Sequence, residues 1–86
     1  AKLTELFTGG PLEAPSGIEL HDGVLYVSDN ATSQIHAFDL TGKLLNSLDT
    51  GFAAGSLAGM AFGPEDDKLY FVDMITSRVY RIEPKL

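Results

Sequence analysis

The sequence contains no cysteine and no tryptophan. Without thiols there is no disulfide framework, no thiolate metal site and no cysteine nucleophile. Positive charge is also scarce, with six Lys and Arg against twelve Asp and Glu and a formal charge of −6 over 86 residues. That balance has the wrong sign for a phosphate backbone or an anionic lipid surface, so no nucleic acid and no membrane is expected among the partners. No apolar run approaches the roughly 20 residues of a membrane-spanning helix, and the N-terminus lacks the charged-then-apolar signature of a signal peptide. The chain therefore reads as soluble, and its start at Ala1 reads as a processed product or a piece of a longer protein. Long helical stretches are missing too, because nine Gly and four Pro interrupt the sequence at intervals shorter than a typical helix. What remains is one small globular domain, 44% hydrophobic and 21% charged.

Self-similarity organises that domain. At an offset of 42, Leu3 aligns with Leu45, Leu6 with Leu48, Thr8 with Thr50 and Gly17 with Gly59. After the first turn the offset becomes 44, because Gly63-Pro64-Glu65-Asp66-Asp67 is two residues longer than His21-Asp22-Gly23. Leu25-Tyr26 then aligns with Leu69-Tyr70, Asp29 with Asp73, Thr32-Ser33 with Thr76-Ser77 and Ile35 with Val79. The chain is thus one domain of two repeats, about residues 1–42 and 43–86.

Turn chemistry divides each repeat into short strands. The first copy predicts Gly17–Leu20, Val24–Asp29, Gln34–Leu40 and Lys43–Leu48; the second predicts Leu57–Phe62, Lys68–Asp73 and Arg78–Glu83. The second copy lacks a fourth strand, and residues 2–8 at the other end of the chain carry the matching sequence. Leu25 and Val27 point to one side of their strand while Val24 and Tyr26 point to the other, and Leu69/Phe71 against Tyr70/Val72 repeats this. Both faces are apolar, so each sheet is expected to be covered on both sides. Radially stacked four-stranded antiparallel sheets, the blades of a β-propeller, meet that demand.

The segments Gly17-Ile18, Gly23-Val24-Leu25-Tyr26-Val27-Ser28-Asp29-Asn30, Gln34-Ile35-His36-Ala37-Phe38-Asp39 and Gly42-Lys43-Leu44-Leu45 resemble an NHL repeat. The wider chain is similar to the NHL and gluconolactonase-like six-bladed β-propellers. The second copy departs from the pattern with Met74-Ile75 where the first has Asn30-Ala31. The fold this implies is all-β, with two four-stranded antiparallel blades in a ring completed by oligomerisation. Six blades correspond to a homotrimer. The N-terminal strand, residues 2–8, then serves as the outer strand of a neighbouring blade through strand exchange. The alternative is a single-chain β-barrel or sandwich in which that strand pairs within its own chain.

Polar residues shared by both copies read as scaffold. Asp29 and Asp73, each followed by Thr-Ser, are expected to bond turn backbone, and His36, opposite Tyr80, reads as a packed, hydrogen-bonded core histidine. Residues present in one copy alone are the site candidates: Glu13, Glu19, His21 and Asn30, opposite Gly55, Ala61, Gly63 and Met74. The resemblance implies a divalent cation, Ca²⁺, held in the propeller tunnel by carboxylate and Asn oxygens, which points to Glu19 with Asn30 as metal ligands. Glu13 and His21 are candidate binding residues. The His21-Asp22-Gly23 pairing of imidazole and carboxylate reads first as a tight turn, and Glu65-Asp66-Asp67 as a wet acidic tip. No catalytic residue is assigned. Three functions are open: a self-assembling scaffold that binds a small molecule or protein through its tunnel or ring face, a metal-dependent lactonase- or esterase-like hydrolase, and a fragment of a longer propeller without activity of its own.

Overall fold

A computed structural model describes residues 1–83 and residue 86, so residues 84 and 85 of the second repeat lie outside the described residues. It contains seven strands: β1 Pro15–His21, β2 Val24–Asp29, β3 Gln34–Phe38, β4 Leu44–Asp49, β5 Leu57–Phe62, β6 Leu69–Asp73 and β7 Arg78–Arg81. They form a four-stranded antiparallel sheet in the order β1-β2-β3-β4 and a three-stranded one in the order β5-β6-β7. Among the described residues there is no helix, and therefore none long and apolar enough to cross a membrane.

The turns decide where the strands stop. Asp22 and Gly23 both hold positive φ, 50° and 75°, the two-residue hairpin geometry that matches strand twist. Strand β3 ends at Phe38, two residues short of its predicted end, because Asp39 folds the chain back. Its carboxylate accepts bonds from the Thr41 and Lys43 backbone N–H groups and from the Thr41 hydroxyl. Strand β4 pairs with β3, so the first structural unit extends to Asp49, beyond the sequence repeat boundary near residue 42. Residues 1–14 form no strand and join neither sheet, which departs from the barrel or sandwich in which residues 2–8 pair within their own chain.

The repeat survives in the details of the fold. Both first strands carry a register irregularity near their start, between Pro15 and Gly17 and between Leu57 and Met60. The Asn30 N–H donates to the Ala14 carbonyl at 2.8 Å, and the Met74 N–H to the Ser56 carbonyl at 2.9 Å.

The two sheets pack face to face, with Ile35, Leu57, Leu69 and Phe71 buried between them and Tyr26, Met60, Phe62 and Tyr80 around the rim. Cross-strand pairing places Tyr26 and Ile35 on the first sheet's inner face and Leu25, Val27, His36 and Phe38 on its outer face. On the second sheet, Leu69, Phe71 and Tyr80 face inward, while Tyr70, Val72 and Val79 face outward. The N-terminal arm covers part of the first sheet's outer face: Phe7 and Leu12 pack on Leu25, Val27 and Phe38, and the Phe7 ring lies 4.9 Å from that of Phe38.

Candidate functional site

The four sequence candidates do not converge. Glu19 sits on β1 opposite Tyr26, half-buried and on the face turned toward the second sheet. Asn30 follows the far end of β2, about 13 Å away at the strand rise of some 3.3 Å per residue. Its amide nitrogen donates to the Leu57 carbonyl at 2.6 Å, and its own carbonyl accepts from the Gly55 N–H at 2.9 Å. Asn30 is thus a tie between the sheets. The Glu13 side chain is exposed, and its backbone N–H donates to Asp29.

Asp29 is fully buried and holds together two pieces of chain. Its Oδ2 accepts from the Glu13 and Ala14 N–H groups at 2.7 and 3.0 Å, and its Oδ1 from Ala31 and Thr32 at 3.0 and 3.1 Å. Burial pushes this carboxyl up, but the four N–H donors outweigh it and hold the group below its ordinary range. Asp73 makes the local half of this arrangement, accepting from Ile75 and Thr76 N–H and from the Thr76 hydroxyl. Both are turn scaffold, as their presence in the two copies predicts. His36 is buried with Nδ1 2.7 Å from the Ser47 hydroxyl, and burial pushes its pKa down against the opposing charge of Asp29.

His21 alone among the candidates joins a cluster. Its ring stacks on Phe62 at 4.0 Å and 11°, which fixes its plane. Its Nε2 then lies 2.5 Å from Asp67 Oδ1 and 3.4 Å from Asp22 Oδ2. The three donor atoms lie within 4.8 Å of one another, one imidazole nitrogen and two carboxylate oxygens, a set able to ligate a divalent cation. The same contact sets the first hairpin turn against the second. Asp67 could be found in the sequence only as the residue that takes the left-handed position of Gly23 in the longer turn, with φ 62°. Its neighbour Asp66 is turned away, accepting from the Lys68 N–H and the Tyr70 hydroxyl.

Apolar side chains also lie open on the strands. Ile18 and Leu20 on β1 are 62% and 58% exposed, and Val79 on β7 is 72% exposed. A groove of about 480 Å³ runs between the N-terminal arm and β1, walled by Leu6, Phe7 and Leu12 on one side and Ile18, Leu25 and Val27 on the other. Strand β7 pairs with β6 along one edge, and no described strand of the chain pairs along the other. Comparison of the sequence with protein-family models and with curated proteins returned no match.

Proposed function

We propose that this protein is a self-assembling β-propeller unit, in which copies of the chain associate head to tail and close a ring whose tunnel or face binds a small molecule or a protein partner. One observation carries the reading. The packing of the two sheets is heterologous, the Tyr26/Ile35 face of the first against the Leu69/Phe71 face of the second. By the repeat, Leu25 and Val27 are the counterparts of Leu69 and Phe71, so the first sheet's outer face is a second example of a surface already used for packing. The second sheet's outer face, with Val72 and Val79, corresponds to the face of Ser28 and Ile35, which is also used. A unit ending in two such complementary faces extends itself, and a rotation that closes gives a cyclic oligomer. Burying apolar surface at about 25 cal/mol per Å² supplies the drive.

With six blades, as the NHL resemblance implies, the ring takes three chains. The open edge of β7 and the unpaired residues 2–8 complete the fourth blade strand across each boundary. Light scattering in solution is expected to give about three times the chain mass of 9.2 kDa. A folded monomer at micromolar concentration overturns the reading.

A further inference from the structure

We propose that the joint between copies repeats the joint within the chain, with the Ser28 and Asn30 side-chain ties replaced by apolar contacts; this rests on the assembling reading above. Within the chain, β1 meets β5 so closely that Gly17 has no room for a side chain. A Cβ there would collide with the Ala58 carbonyl and come within 2.9 Å of the Ser28 hydroxyl. Around that contact, the Ser28 hydroxyl donates to the Ala58 carbonyl at 3.3 Å and the Asn30 amide to the Leu57 carbonyl. Within the first sheet, the β3–β4 pairing ends where Thr50 donates to the Ser33 carbonyl through both its N–H and its hydroxyl, at 3.1 and 2.7 Å.

The repeat carries each of these to the next boundary. Gly17 becomes Gly59, and the Ala58 carbonyl becomes the Ser16 carbonyl of the next copy. A Cβ on Gly59 meets nothing within 4 Å in its own chain, so nothing in the chain itself requires glycine in the middle of β5. An approach of the next copy's β1 does require it. Ser28 and Asn30 become Val72 and Met74, the latter 61% exposed, so two polar ties give way to apolar contacts. Thr50 and Ser33 become Thr8 and Ser77, which gives the exchanged strand the same closing bond to β7.

The strand exchange acquires a register by the same step. In the first sheet Ile35 faces Leu48 and His36 faces Ser47. The counterparts are Val79 opposite Leu6 and Tyr80 opposite Glu5. Two exposed aliphatic side chains thereby cover each other, and Glu5 falls diagonal to Arg78, an opposite-charge neighbour. The arm is already placed for this role. Leu48 shares a hollow with Phe71 in the joint within the chain, and their counterparts Leu6 and Val27 share the groove under the arm.

The experiment compares the parent with Gly59→Ala by light scattering over a concentration series, with circular dichroism to follow the sheets. The expected result is an unchanged sheet spectrum and an assembly midpoint shifted at least tenfold to higher concentration. A monomeric parent removes the assembling reading itself. A parent that assembles beside a Gly59→Ala variant that assembles equally well leaves that reading standing and overturns the assigned joint. Cysteine pairing gives a second measurement if the variant misfolds, and the chain has no cysteine of its own to interfere. Chains carrying Leu6→Cys mixed with chains carrying Val79→Cys are expected to yield a disulfide-linked heterodimer on mild oxidation, and mixtures with Tyr80→Cys much less, because that side chain points to the opposite face. Equal yields, or none with Val79→Cys, overturn the register.

Discussion

Replacing Asp29 by Asn isolates how much of the fold hangs on one carboxylate. Four backbone N–H groups converge on its two oxygens, two from residues 13 and 14 and two from the turn at 31 and 32. An amide keeps one acceptor oxygen and turns an NH₂ toward the other pair. Two buried donors then lose their acceptor, and at about 1–3 kcal/mol for each unmade bond the substitution is expected to cost about 2–6 kcal/mol. That is a large share of the stability of a chain this size. Asp73→Asn is expected to cost less, since among the described residues the donors to Asp73 lie within its own turn and no second segment is released. Urea unfolding at pH 7 measures both, at one fixed chain concentration because assembly links stability to concentration. Acid adds a signature. The folded-state pKa of Asp29 lies below its ordinary 3.8, so its stabilisation is complete above that value and is lost as pH falls through the folded value. The gap between parent and Asn variant should therefore narrow below pH 4. A cost under about 1 kcal/mol, or equal costs at Asp29 and Asp73, refutes the tie between the arm and the turn.

Burial holds the His36 pKa below its ordinary 6.5, so the folded state resists a proton that the unfolded chain accepts. Melting temperature should fall as pH drops below 6.5, less steeply in His36→Tyr, which installs the residue of the other copy; parallel slopes refute this. Gly17→Ala drives a methyl into the Ala58 carbonyl and is expected to cost about 1–3 kcal/mol by thermal melting, with an unchanged melting temperature as the contrary result. In the proposed ring β1 lines the tunnel and brings copies of Glu19 toward one another, so Glu19→Gln is expected to melt no lower than the parent in metal-free buffer. Millimolar Ca²⁺ should raise the parent's melting point and not the variant's, and indifference of the parent to Ca²⁺ refutes a tunnel site at Glu19.

The strands were legible because their punctuation is local. Asp22-Gly23 fixes a two-residue hairpin whatever lies around it, and Asp29 and Asp73 bond turn backbone two and three residues on. The early end of β3 was less legible, since Asp39 carries no mark that separates a strand-end aspartate from one that captures Thr41 and Lys43. The clasp of His21 on Asp67 was not legible at all. It joins turns of different repeats, which meet where β1 packs on β5 and His21 stacks on Phe62. Asn30 has a role its sequence does not announce: it stands out as a residue of one copy alone, and its amide nitrogen ties β2 to the Leu57 carbonyl of the second sheet.

That case shows what a difference between two repeats reports. A residue kept in one copy and lost in the other can mark a joint that the two copies meet differently. Asn30 and Ser28 stand at the joint between the sheets, and their counterparts Met74 and Val72 stand on the outward side of the second sheet. The polar residues occur where the two sheets belong to one chain and meet on folding. The apolar ones occur on the side that is bare in the separate chain, where a buried amide could find its carbonyl only after a second molecule had docked. An apolar contact needs no such match of donor to acceptor and tolerates small errors of register during encounter, whereas an unpaired buried amide would cost about 1–3 kcal/mol until the match was made. Under the proposed assembly, exchanging Asn for Met at this place lowers the barrier to closing the ring. A Met74→Asn chain should accordingly associate more slowly than the parent even where its assembled form is as stable, and association followed by stopped-flow light scattering at equal concentrations tests this. Equal or faster association by Met74→Asn would mean that the exchange reflects something other than the way the copies meet.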